Sequence, residues 1–227
     1  MSSRDVTIPG VIVPAFRVGP RSLPQVIIDR NEHSDSRSGK LMYKELDITQ
    51  LLAAIKFSAE RHRRQRRKGT DLPYINHPID VAERLWRIGN VRDLSVMTAA
   101  ILHDTVEDTF TTSAEIELRF GSKVRVLVDE VSDDKKLEKQ ERKRLQIDHA
   151  PSLSRGAKQI KLSDKISNVS DVTFNPPDWP VQRRREYLDW AEQVVTGLRG
   201  CNSELEQAFD TVMRVARRKL AEEEQRA

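Results

Sequence analysis

"LSVMTAAILHDTVED", residues 94–108, decides how the chain is read. It is nearly all apolar up to His103, the pattern of a helix buried on every side, and polar groups enter only in its C-terminal half. On such a helix His103 and Glu107 stand four residues apart, as do Asp104 and Asp108, so the four side chains crowd neighbouring parts of one surface. Three carboxylates and an imidazole at the end of so apolar a helix are costly to bury without a compensating cation. A divalent metal would supply it. The plainer alternative is an N-cap or an exposed acidic helix end.

Two further stretches extend the cluster. "PYINHP", residues 73–78, offers His77, placed by Pro73 and Tyr74 before it and Pro78 after it. "KLSDKISNVSD", residues 161–171, offers Asp164 on a helix, with Asn168 one turn on and Asp171 beyond it. Taken alone, Asp164 reads as an ordinary ion pair with Lys161 or Lys165. With His77, His103 and Asp104 it completes a set of two nitrogen and two or more oxygen ligands that leaves positions open for water. Mixed imidazole–carboxylate sets without thiolate suit manganese or iron better than structural zinc. Glu107 and Asp108 are then left for acid–base work, and hydrolysis is the natural reaction.

Outward from these motifs the chain reads as all-α. Of its 227 residues 37% are hydrophobic and 33% charged, enough for one domain with a good core. "LDITQLLAAIKFSAERHRRQRRK" has Leu51, Leu52, Ile55 and Ala59 at helical spacing beside Phe57, and Gly69 is expected to end it. Pro78 suits the first turn of the next helix, whose apolar face is Ile79, Val81, Ala82, Leu85 and Trp86. Thr112 with Glu115, and Ser203 with Glu206, read as capping boxes, and Gly121 as a stop. Further helices are expected at 122–132, 137–149, 153–173, 180–199 and 203–224. The three tryptophans, Trp86, Trp179 and Trp190, read as core or helix-packing residues.

Residues 1–42, with Pro9, Pro14, Pro20, Pro24 and the run "DRNEHSDSRSGK", are expected to form a disordered arm, with a short strand open in "QVIID", and residues 43–227 the domain. "VTIPGVIVPAF" is too short and broken to be a signal peptide, and no run approaches a membrane span. The single cysteine, Cys201, excludes an intrachain disulfide and fits a reducing cytoplasm.

The quoted motifs resemble one family closely. His77, His103-Asp104 and Asp164 match the order and spacing of the HD-superfamily phosphohydrolases. "YINHP", "LHDTVEDT" and "KLSDKISN" resemble the hydrolase domain of the RelA/SpoT alarmone enzymes. "RRKGTDLPYINHP", "DDKKLEKQERKRLQ" and "EYLDWAEQVVTGL" are most similar to its single-domain branch, the small alarmone hydrolases, over about residues 46–220. The resemblance implies an HD-type helical bundle that removes the 3′-pyrophosphate of ppGpp or pppGpp with Mn²⁺, giving GDP or GTP and pyrophosphate. It implies metal ligation by His77, His103, Asp104 and Asp164 and catalysis by Glu107 and Asp108. It implies substrate contacts from Arg67 and Lys68 at the guanine, Asn168 near the ribose, and Arg183 and Tyr187 facing the phosphates. No synthetase activity is expected, since nothing after residue 224 supplies that domain.

Ser170 departs from the pattern, standing where the family usually has an Arg. The missing cation leaves room for a second reading, a phosphatase for NADPH or another 2′- or 3′-phosphorylated nucleotide. A third is a nucleotide-binding module with an inactive site.

The net charge is +4, and six of the eight residues 61–68 are Arg or Lys. Arg67 and Lys68 immediately precede the His77 loop and can reach a pocket. Arg61, Arg63, Arg64 and Arg66 read as a solvated or ion-paired face of the preceding helix, and His62 as a surface or interface residue. A nucleic-acid arm would want aromatics interleaved with the bases, and only Phe57 and Tyr74 lie near, so nucleic acid is not expected as a partner. His33 and His149 have no ligand company. A homo-oligomer stays open.

Overall fold

The structure, a computed structural model, describes residues 48–226. The arm expected over residues 1–42, and the strand considered within it, lie outside the described residues. Ten α-helices follow in order: α1 Ile48–Arg61, α2 Asn76–Arg87, α3 Leu94–Leu102, α4 Thr105–Asp108, α5 Ser113–Phe120, α6 Ser122–Val131, α7 Lys139–His149, α8 Arg155–Phe174, α9 Val181–Leu198 and α10 Ser203–Glu224. Among the described residues there is no strand, only an isolated bridge between Arg66 and Pro73. All-α is therefore correct.

The centre is α3. Every residue from Val96 to Leu102 is buried, and α1, α2, α6 and α8 pack around them. Burying each of its larger apolar side chains is worth about 1.5–3 kcal/mol, which is why so short a helix can hold the middle of the bundle. Asp93 caps its start, accepting from the backbone N–H groups of Ser95 at 2.7 Å and Val96 at 3.4 Å. Alongside it α8 buries Ile160, Leu162, Ile166 and Val169 and packs on α2, α9 and α10.

The long helix read from residue 94 is broken. α3 ends at Leu102, His103 and Asp104 form a turn, and α4 resumes for one turn. Buried polar groups bend the path: the Thr105 hydroxyl donates to Leu102 O at 2.6 Å, and His103 Nδ1 to Ala100 O at 2.8 Å. The break separates His103 and Asp104 in direction from Glu107 and Asp108.

Other expectations need correction. α1 stops at Arg61, eight residues before Gly69, because the chain must turn to enter the loop that delivers His77. Arg63, Arg64 and Arg66 are thus on a turn and a bridge, not along a helix. Leu52 is 59% exposed, while Ala54, Phe57 and Ser58 are the buried face of α1. On α2, Ile79 and Trp86 are exposed, and Val81, Ala82 and Leu85 are buried.

Thr112 caps α5 as expected, accepting from Glu115 N–H at 3.2 Å, but the Glu115 carboxylate turns to Arg61 and Arg119. At α10 the cap is Asn202, not Ser203. Its side chain accepts from Leu205 N–H at 3.1 Å, and Glu206 accepts from Asn202 N–H at 3.2 Å. Gly69 belongs to a loop with φ +82°, and a Cβ there would lie 2.2 Å from Asn175 O, so only glycine lets this loop close on the α8–α9 connection.

Candidate metal centre and catalytic cleft

Three elements bring the candidate ligands together. The α3–α4 turn supplies His103 and Asp104, the first turn of α2 supplies His77, and the middle of α8 supplies Asp164. His77 Nε2 lies 3.1 Å from Asp164 Oδ1 and 3.6 Å from Asp104 Oδ2. His103 Nε2 lies 3.0 Å from Asp104 Oδ2 and 3.8 Å from Asp164 Oδ1. Both imidazoles are buried.

The donor set fits a divalent cation. His103 Nδ1 donates to a carbonyl, so whenever the ring is neutral the lone pair of Nε2 turns into the cluster, toward two carboxylates. That Nε2 is buried and makes no hydrogen bond of acceptable geometry. His77 is held likewise, its Nδ1 3.1 Å from the Ser167 hydroxyl. Two lone pairs aimed at two carboxylates repel unless a positive charge sits between them.

Protonation states carry the same sense. Burial works against a charge on His103, yet the Asp104 and Asp164 carboxylates lift its pKa to about 9. Burial dominates at His77 and lowers it. Burial would raise both aspartates, but His103 holds Asp104 well below the carboxylate range, and Lys165 and His77 do the same for Asp164. The cluster is thus poised to trade a proton for a metal.

Outer groups hold the candidate ligands in place. Tyr74 donates its hydroxyl to Asp104 Oδ2 at 2.6 Å, and burial raises its pKa far above the ordinary phenol value. Asn168 donates its amide to Asp164 Oδ1, and Lys165 Nζ stands 3.4 Å from Asp164 Oδ2. The ion pair read for Asp164 with Lys165 exists beside the cluster. Lys161 does not reach Asp164; buried, it donates to Val131 O at 3.1 Å.

Glu107 and Asp108 form a second centre. Glu107 Oε2 accepts from Asp133 N–H at 3.0 Å, and Oε1 lies 3.0 Å from Lys135 Nζ. The same ammonium lies 2.8 Å from Asp108 Oδ1. Burial raises the Glu107 pKa, the backbone N–H and Lys135 opposing it. Lys135 was not singled out in the sequence, where it is one lysine in a charge-mixed run. Its register against Glu107 depends on the α6–α7 connection, which no local pattern reports.

Both centres open into one cleft of about 890 Å³, within the size range of small-molecule sites. Arg67, Lys68, Asn168, Arg183 and Tyr187 all line it. Arg67 Nε donates to Asp171 Oδ2 at 2.6 Å and its Nη2 to Asn168. Arg183 stacks on Trp179, 4.3 Å from the ring centroid, and Tyr187 lies between Trp179 and Trp190. Both tryptophans line the cleft; Trp190 also packs against the core, as expected, while Trp86 is exposed under Arg92.

His62 is 2% exposed, against the surface placement expected; its ring lies 4.8 Å from Tyr74 and its Nδ1 2.6 Å from Gln65 Oε1. Ser170 donates to Ile166 O at 2.8 Å on its own helix and is not part of the cleft lining.

Comparison with known proteins follows the same lines. The HD domain family matches residues 54–190. The guanosine-3′,5′-bis(diphosphate) 3′-pyrophosphohydrolase MESH1 of Xenopus tropicalis is 53% identical over 166 residues, 72% of this chain and 93% of its own. The protein of the same name from Drosophila melanogaster is 46% identical over 165 residues, 72% of this chain and 92% of its own. A solved structure described as a metazoan ortholog of SpoT that hydrolyzes ppGpp superposes with a TM-score of 0.72 at 44% identity, covering 75% of this chain and 96% of that one.

Proposed function

The chain belongs to the HD domain family, and from that premise we propose that it hydrolyses ppGpp or pppGpp to GDP or GTP and pyrophosphate, with Mn²⁺ as its metal. One observation carries the reading. Two buried histidines, His77 and His103, meet the part-buried carboxylates of Asp104 and Asp164 in a basic cleft, with Glu107 and Asp108 beside them. His77, His103, Asp104 and Asp164 would hold the metal. When bound, it supplies Lewis-acid polarisation of the phosphoryl group and acidifies a water.

The chain's own groups do the rest. Glu107 takes the proton from the attacking water as its oxygen bonds to the phosphorus next to the 3′-oxygen. The P–O3′ bond breaks, and the proton passes to that oxygen as pyrophosphate leaves. Lys135 keeps Glu107 and Asp108 oriented and Glu107 ionised. Lys139, Lys143, Lys165 and Arg183 face the four or five phosphate groups, and Arg67 with Lys68 takes the guanine side. Asn168 stands between Arg67 and Asp164, where a ribose would meet the metal side. Tyr187, whose pKa burial raises, keeps its proton and can donate to a phosphate oxygen.

Ser170, which lent the NADPH reading weight in this sequence, bonds back to Ile166 and is not among the residues lining the cleft. A module with an inactive site would lack one of the proposed ligands or one of the acid pair, and the sequence carries all six residues. We assign the chain to the cytoplasm on its single, buried cysteine. Among the described residues no helix is long and apolar enough to cross a membrane. The test is product identity on ppGpp, pppGpp and NADPH by anion exchange. Pyrophosphate in step with GDP or GTP supports the proposal; inorganic phosphate from NADPH alone overturns it.

A further inference from the structure

The basic stretch at residues 61–68 divides between two clefts. Arg66, Arg67 and Lys68 line the catalytic one, while Arg61, Arg63 and Arg64 line a second of about 450 Å³. Gln65 and Asp108 border both. The Gln65 amide donates to the Asp108 carbonyl at 2.7 Å, so the two clefts share a wall.

The chemistry of the second cleft is distinct. Arg119 on α5 joins Arg61, Arg63 and Arg64, giving four guanidinium groups. Arg61 and Arg119 share one carboxylate, Glu115, and both stack on the Phe57 ring at 4.7 and 5.2 Å from its centroid. Arg63 and Arg64 form no ion pair among the described residues, and the acidic groups of the lining are Glu60 and Asp108, the latter held by Lys135. At the rim Phe110 is 101% exposed, with no ring or cation stacked on it among the described residues. A wholly exposed phenylalanine beside unpaired arginines is costly as a bare surface and suited to stacking a planar ring.

We propose that this cleft is a second nucleotide site, taking a nucleoside polyphosphate with its base on Phe110 and its phosphates on Arg63, Arg64 and Arg119. The volume falls in the range of small-ligand sites. Guanidinium groups bind phosphate oxygens bidentately, and an aromatic face accepts any base, so the site recognises phosphate number and a ring rather than one base.

Equilibrium binding of ATP, GTP, CTP, UTP and inorganic tripolyphosphate to the metal-loaded full chain tests this without reference to turnover. The expected result is saturable nucleotide binding that Arg63→Ala/Arg64→Ala weakens at least tenfold and Arg183→Ala, in the catalytic cleft, leaves unchanged. Phe110→Ala should weaken nucleotides and leave tripolyphosphate unchanged. Hydrolysis of ppGpp by the double variant with no other nucleotide added, within twofold of the parent, shows that it is folded. Binding lost in Arg183→Ala but kept in the double variant would place the nucleotide in the catalytic cleft and overturn the proposal. So would an absence of saturable binding, or tripolyphosphate binding as tightly as every nucleotide.

Discussion

The Lys135 ammonium lies 3.0 Å from Glu107 Oε1, and its second contact, 2.8 Å from Asp108 Oδ1, ties the two carboxylates to one charge. Lys135 therefore opposes the effect of burial on Glu107. Lys135→Ala is expected to lower kcat on the order of tenfold, as loss of an orienting partner does. The acidic limb of the rate profile should move to higher pH, because Glu107 loses the cation that favours its ionised form. A pH–rate profile checks both, and an unmoved limb would reduce Lys135 to a surface ion pair.

The proposed metal ligands and the proposed acid pair should separate under mutation. Glu107→Ala should retain the metal and lose about 10²–10⁴ in rate. His103→Ala should lose both, since its Nε2 faces the cluster. Metal content by elemental analysis, beside turnover, distinguishes them; normal turnover by Glu107→Ala would remove its assigned role.

How far the sequence reaches can be judged from these same residues. Four of the six proposed site residues could be picked out because His103, Asp104, Glu107 and Asp108 end a strongly apolar helix where charge needs a reason. His77 and Asp164, the latter an acid among lysines, gained meaning only in their company. The helices from residue 122 onward were legible because their periods are long and well bounded. The break at His103–Asp104 was not, since it arises from buried hydrogen bonds to Ala100 and Leu102 carbonyls rather than from proline or glycine. Lys135 was hidden for a related reason: its meaning lies in tertiary register. His62 and Trp86 were misplaced because composition cannot say which face of a wall a side chain takes.

Burial that raises the Glu107 pKa also destabilises the fold. Its folded pKa exceeds the unfolded one, so the stability it contributes is present below the unfolded value and lost as pH rises through the folded one. Glu107→Gln should therefore raise the Tm of the metal-free chain at pH 8, and the gain should shrink as pH falls toward 5. Thermal unfolding at both values reads this. An equal shift at both would mean that the gain does not come from the charge.

Ser170→Arg is expected to leave kcat/KM for ppGpp within twofold and to confer no activity on NADPH, because position 170 bonds back to Ile166 and lies outside the cleft lining. Steady-state kinetics on the two substrates settles the matter. A tenfold change would show that a side chain there can enter the cleft.

The most direct test of the central claim is a titration of metal-stripped protein with Mn²⁺ while GDP and pyrophosphate are followed from ppGpp. The expected result is no turnover without metal, then activity rising in proportion to bound metal and saturating at one ion per chain. Turnover by the stripped protein, or activity that does not follow occupancy of this cluster, would contradict it.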